Sequence, residues 1–213
     1  MAIACRPTPT LCVMQSFDEV LEGAGLDSES LTVLLVAGSS RDRVLQLLGA
    51  DPESNGRQYP DLDDSDYSGY AAIDVGGGVV AIEHTGYADP SPRVLAALSG
   101  IGGSAAVARS NIQAHERFGC ACDGELVFDA DEFMYVEEHE KEPVPEELRA
   151  MFDAAWVDLD SEEDVEDEGQ PAGVEVAYAM AVAHTGVAVT GDDLKRAIAL
   201  GYHRVRTLTY LDE

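Results

Sequence analysis

At 213 residues, 46% of them hydrophobic, the chain can bury a substantial core. Its net charge of −28 repels nucleic-acid phosphates and anionic membranes, and it favours basic partners, cations or plain solubility. No apolar run reaches the roughly 18 residues that a membrane span needs, and nothing around Arg6, Pro7 and Pro9 reads as a signal peptide. These features predict a cytoplasmic protein.

In chain order, a short helix is expected around Phe17, Val20 and Leu21, ending at Gly23. Leu31–Ala37 is an unbroken apolar run and predicts a buried strand. Ser39 or Ser40 then caps a helix carrying Val44, Leu45, Leu47 and Leu48, stopped by Gly49. Residues 51–66 form a polar loop with Asp61, Asp63, Asp64 and Asp66. A calcium loop of the EF-hand type needs glycine at Asp66 and glutamate at Ala72, so that pattern fails. Tyr70–Ile73 and Val79–Ile82 flank Gly76–Gly78 and predict a hairpin near the middle of a sheet. A strand follows the glycines instead of a helix, which argues against a phosphate cradle.

Ser91 and Pro92 start a helix with Val94, Leu95 and Leu98 on its apolar stripe. Gly100-Ile-Gly-Gly-Ser-Ala105 matches a dinucleotide fingerprint by letter, but it follows a helix and fails on context. Ala105–Asn111, Ala114–Cys120 and Leu126–Phe128 predict three strands, the last two joined by an Asp123-Gly124 turn. With the central hairpin they predict an antiparallel meander. Residues 129–168 carry 18 acidic and 2 basic side chains. Within this segment Pro145 opens a helix, to Trp156, whose stripe is Leu148, Met151, Phe152, Ala155 and Trp156. Residues 158–171 read as a mobile acidic loop. Two helices follow, one on Val174, Ala177, Tyr178, Ala181 and Val182, one capped by Thr190 and Asp193. Arg204–Tyr210 alternates like an edge strand. The expected fold is therefore a single α+β domain over 1–213. It comprises an antiparallel sheet with short amphipathic helices and an acidic insertion.

Three blocks carry a resemblance. Glu83-x-x-Gly86-Tyr87 precedes Pro92-x-Val94-Leu95-x-x-Leu98-Ser99. Asn111-x-x-Ala114-x-x-Arg117-Phe118 runs on to Ala121, Asp123-Gly124 and Leu126-Val127. Glu175-x-Ala177 precedes Thr185-Gly186-Val187-x-Val189-Thr190 and Leu194. The set resembles an uncharacterised, actinobacterial (Streptomyces-type) single-domain family and covers about Leu31 to Leu194. Tyr87 stands where that family commonly has tryptophan, and the acidic segment is longer here. The resemblance implies an α+β domain and no particular activity.

No nucleophile elbow, P-loop or paired-histidine metal motif is present. His84, His115, His139, His184 and His203 are scattered, and His84 points away from its neighbour Glu83 on a strand. Cys5 and Cys12 lack zinc-type spacing, as do Cys120 and Cys122, but on a strand the last two share a face. Arg117, Glu83 and Asp123 are candidates for a polar cluster, and Tyr87 for an exposed aromatic anchor. No cofactor is predicted, and the sequence leaves metal binding open. The expected function is a non-catalytic acidic binding protein, immunity-like or imitating nucleic acid. Asp158, Asp160, Glu162, Glu163, Asp164, Glu166, Asp167, Glu168 and Tyr87 would face a basic protein partner. The alternatives are a metal-binding protein or enzyme using carboxylates with Cys120 and Cys122, and a structural component that docks through Trp156. Self-repulsion favours a monomer or small oligomer.

Overall fold

The computed structural model describes residues 16–26, 29–50, 53, 66–113, 115–157 and 173–207. Asp61, Asp63 and Asp64, the acidic run 158–168 with the rest of the predicted loop to 171, and residues 208–210 of the predicted last strand lie outside them.

Among the described residues, seven strands form one antiparallel sheet: β1 (Leu31–Ala37), β2 (Tyr67–Val75), β3 (Gly78–Glu83), β4 (Ser104–Ser110), β5 (Glu116–Cys122), β6 (Glu125–Asp131) and β7 (His203–Arg206). Their order is β6-β5-β4-β1-β3-β2-β7. The α+β expectation holds. The meander holds over β4–β5–β6, but the middle of the sheet is β1, inserted between that meander and the β2–β3 hairpin. β5 runs two residues later than expected, to Cys122.

Period-2 alternation divides the sheet's side chains between two covered faces. Leu31, Val33 and Leu35 of β1 meet one cluster with Ile82, Ala106, Ala108 and Phe118. Four helices cover that face: α1 (Phe17–Ala24), α4 (Glu146–Ala155), α5 (Gly173–Thr185) and α6 (Gly191–Leu200). Leu34 and Val36 point the other way, to α2 (Arg41–Leu47) and α3 (Pro92–Ser99). Helix α5 is buried on nearly every side, because it lies across β4 and β5 with α4 and α1 packed against it. Its expected single stripe is therefore too narrow a description. Helices α1 and α6 cross where Gly23 meets Gly191, and a Cβ on Gly191 would lie 2.9 Å from the Gly23 Cα.

The expected caps Ser91 and Thr190 form, Ser16 caps α1 as well, and α1 runs past its expected stop at Gly23 to its cap at Gly25. Ser16, Ser91 and Thr190 accept amides of Glu19, Val94 and Asp193. Ser40 occupies the cap position of α2 but makes no side-chain bond. The first amide of α2, from Arg41, instead donates to Asp74 Oδ1 of β2 at 2.8 Å.

Candidate functional site

A row of polar side chains crosses the α2/α3 face of the sheet. Directly paired residues on neighbouring strands share a face. The register aligns Asp131, Arg117, Arg109, Thr32, Glu83, Tyr70 and His203, one from each strand. All but Asp131 are buried. The segment 84–91, between β3 and α3, is packed onto this row.

Two adjacent arginines, Arg109 and Arg117, would repel each other without anions between them. Asp89 provides one: it pairs with Arg117 Nη1 and accepts from Arg109 Nη1 at 3.0 Å. Asp129 accepts Arg117 Nε at 2.7 Å and Nη2 at 2.8 Å, a bidentate fork, and Asp131 pairs with Arg109. Arg117 Nη1 also donates to Pro90 O at 2.9 Å. Burial alone would lower the pKa of Arg117, but Asp89 and Asp129 outweigh it and raise it. Asp89 moves up, because burial outweighs both arginines.

Glu83 organises the other half of the row. Its Oε1 accepts from the Thr85 amide at 2.8 Å and from the Ser68 and Thr85 hydroxyls, and Oε2 accepts from the Gly86 amide at 2.8 Å. Tyr70 Oη donates to Ala88 O, and Ser30 Oγ to Thr85 O. Gly86 has φ +66°, and a Cβ there would lie 2.1 Å from Ser110 O, so only glycine fits.

The sequence-derived trio is therefore not one cluster. Glu83 and Arg117 share the row but serve different partners. Asp123 sits in the β5–β6 turn, where its Oδ1 accepts from the Gly102 amide at 2.6 Å. Tyr87 is half-buried in segment 84–91, its amide donating to Thr85 Oγ1. Asp89, Arg109, Asp129 and Asp131 were missed. The available signal was strand phase: aligning the alternation of β4 and β5 places Arg109 against Arg117, and such a pair demands carboxylates.

The cysteines do not act as a pair. Cys122 is disulfide-bonded. Cys120 is a buried free thiol whose pKa burial pushes up to about 12. Among the described residues, no group of three or more His, Cys, Asp and Glu is placed to hold a metal ion. The histidines are dispersed. His84 faces Tyr202 Oη, His115 and His139 lie near Glu132 and Glu137, and His184 Nε2 bonds Ala121 O at 3.0 Å. His203 meets Arg41.

A concavity among the described residues lies elsewhere, in the acidic segment. A depression of about 1040 Å³ is lined by the two short turns Phe133–Tyr135 and Glu138–Lys141 and by α4. Glu137, Glu138, Glu142 and Asp153 supply carboxylates, and Tyr135 and Trp156 supply rings. Trp156 is fixed, because its Nε1 donates to Val136 O at 2.8 Å. Lys141 Nζ lies 3.6 Å from the centre of that ring, 3.0 Å from Glu138 and 3.9 Å from Asp153. Arg149 turns inward to the Val144 and Glu142 carbonyls.

A family of unknown function, DUF6461, matches residues 24–200. The chain belongs to that family. No curated protein matches it, and no solved structure does. The DUF6461 segment contains β1 to β6, α2 to α6 and the acidic depression, and so six of the seven residues of the polar row. His203 and the whole of β7 fall outside it. No helix among the described residues is long and apolar enough to cross a membrane.

Proposed function

We propose that this DUF6461 chain is a non-catalytic binding protein whose acidic segment engages a basic surface on a protein partner. One observation carries the reading. Between Asp131 and Asp153 nine acidic side chains are exposed, while the only two Lys or Arg residues there, Lys141 and Arg149, are turned inward. Four of these anions, Glu137, Glu138, Glu142 and Asp153, line the depression, and the local cations are engaged with the protein's own groups. The run Asp158–Glu168 extends the same charge in sequence. Such a field accelerates and orients encounter with a basic partner. A neutralising role, against a basic toxin domain or a nucleic-acid-binding protein, fits that chemistry. The polar row fits a supporting role, since its charges pair with one another beneath segment 84–91. An actinobacterial source belongs to the same reading, and the disulfide at Cys122 fits an oxidising setting better than the expected cytoplasm.

Calorimetric titration with a Lys/Arg-rich peptide of about 20 residues tests it. Binding at about 25 mM NaCl should weaken at least about tenfold at about 300 mM. Combining Glu137→Gln, Glu138→Gln, Glu142→Gln and Asp153→Asn should weaken it further. Neutralising Asp18, Glu19, Glu22 and Asp42 instead should leave it unchanged. Equal effects of the two sets, or no binding at low salt, overturn the reading.

A further inference from the structure

Strand β7 is the shortest strand among the described residues and lies at a sheet edge. It spans four residues and pairs with β2 alone, from Tyr67↔Arg206 to Tyr70↔His203. Arg41, the first residue of α2, adds a second tie. Its Nε donates to Ala72 O at 2.9 Å and its backbone amide to Asp74, so the side chain is anchored on β2. Its Nη2 then reaches His203 Nε2 at 2.7 Å.

A guanidinium has donors only, so Nε2 must accept, and the ring must be neutral with its proton on Nδ1. A protonated imidazole has no lone pair left. It would place a second cation 2.7 Å from Arg41, on a residue that is buried. The contact exists in one charge state only.

Among the described residues, no carboxylate forms an ion pair with His203. On α2, Asp42 sits beside Arg41 at 3.3 Å with its side chain 91% exposed. On β2, Tyr70 lies opposite and Asp74 is engaged by the Arg41 amide. On β7 itself, Arg204 and Arg206 add positive charge, with Arg204 over the Tyr67 ring. Glu83, one strand further along the row, is bonded to Ser68, Thr85 and Gly86.

We propose that His203 and Arg41 form a pH-operated latch: protonating His203 expels the guanidinium, releases β7 and leaves the Tyr67–Tyr70 edge of β2 unpaired. Burial first, and then Arg41, lower the pKa of His203, while Asp42 raises it. A lowered pKa means that the released form binds the proton more tightly. The latch is closed above the ordinary imidazole value of about 6.5 and opens as pH falls below it.

Hydrogen exchange of the amides of residues 203–206, corrected for intrinsic rates, reads the latch directly. Protection should fall about tenfold or more from pH about 7.5 to about 5, while β1 and β4 keep theirs. His203→Gln retains an acceptor that does not titrate, and its β7 protection should stay level. Unchanged protection in the natural protein, or an equal fall in His203→Gln, overturns the proposal. Should His203→Gln not fold, NMR titration of the His203 ring in the natural protein decides. A midpoint below about 6.5 that coincides with loss of β7 protection supports the latch, and separate midpoints overturn it.

Discussion

Arg117 heads the fully buried side chains by volume, and it is a cation. Its worth comes from having every arm engaged: two on Asp129, one shared by Asp89 and Pro90 O. Replacing it with methionine fills much of the volume but strands two carboxylates. Arg117→Met should therefore destabilise the fold by about 3–5 kcal/mol in urea unfolding. A loss below about 1 kcal/mol would show that water or rearrangement satisfies those carboxylates. That a buried arginine on this strand needs acidic partners is readable from the sequence, but their identity is not. Glu83 lies on the same row but three strand spacings away, about 14 Å. Asp123 is six residues along the strand, about 20 Å. The residues that do the work come from β6 and from the segment before α3. Only the register and the path of that segment bring them in.

Elements were legible where local signals were strong. Gly76-Gly77 sets the β2–β3 register at Val75↔Gly78, and Asp123 and Gly124 take the positive φ values that their hairpin needs. The position of β1 was not legible, because an unbroken apolar run states only that both faces are covered, not which strands flank it. The cap of α5 was hidden, although the helix itself was expected from Val174 onward. Its Val174 amide donates to Glu116 Oε1 at 3.2 Å, a cap supplied from β5, 58 residues earlier. Capping patterns are sought within a few residues, so this one leaves no sequence signature. Glu116→Ala should lower stability by about 0.5–2 kcal/mol in thermal melts, as loss of a cap does elsewhere. Gly173→Ala should act in the same direction, since the added Cβ would lie 1.8 Å from Glu116 Oε2 and displace that carboxylate from the cap. If Glu116→Ala is silent, α5 is held by packing alone.

At the scale of the molecule, charge is segregated. Arg109, Arg117 and Lys141 are buried with anionic partners, so cations that would offset the surface are withdrawn from it. Raising NaCl from about 0.05 to about 0.5 M shortens the screening length from about 14 to about 4 Å. The urea midpoint should rise, because like-charge repulsion across the surface is relieved. A midpoint that falls would mean that exposed ion pairs outweigh that repulsion. The central place of β1 has a consequence for synthesis. Leu31–Ala37 leaves the ribosome before either neighbour exists. Its β3 partner ends at Glu83, reached roughly 2–9 s later at ordinary elongation rates of about 5–20 residues per second. Its β4 partner ends later still, at Ser110. During that interval the most apolar strand of the sheet waits with both edges open. The nascent chain is most exposed to misassembly in its first half, and chaperone occupancy should concentrate there.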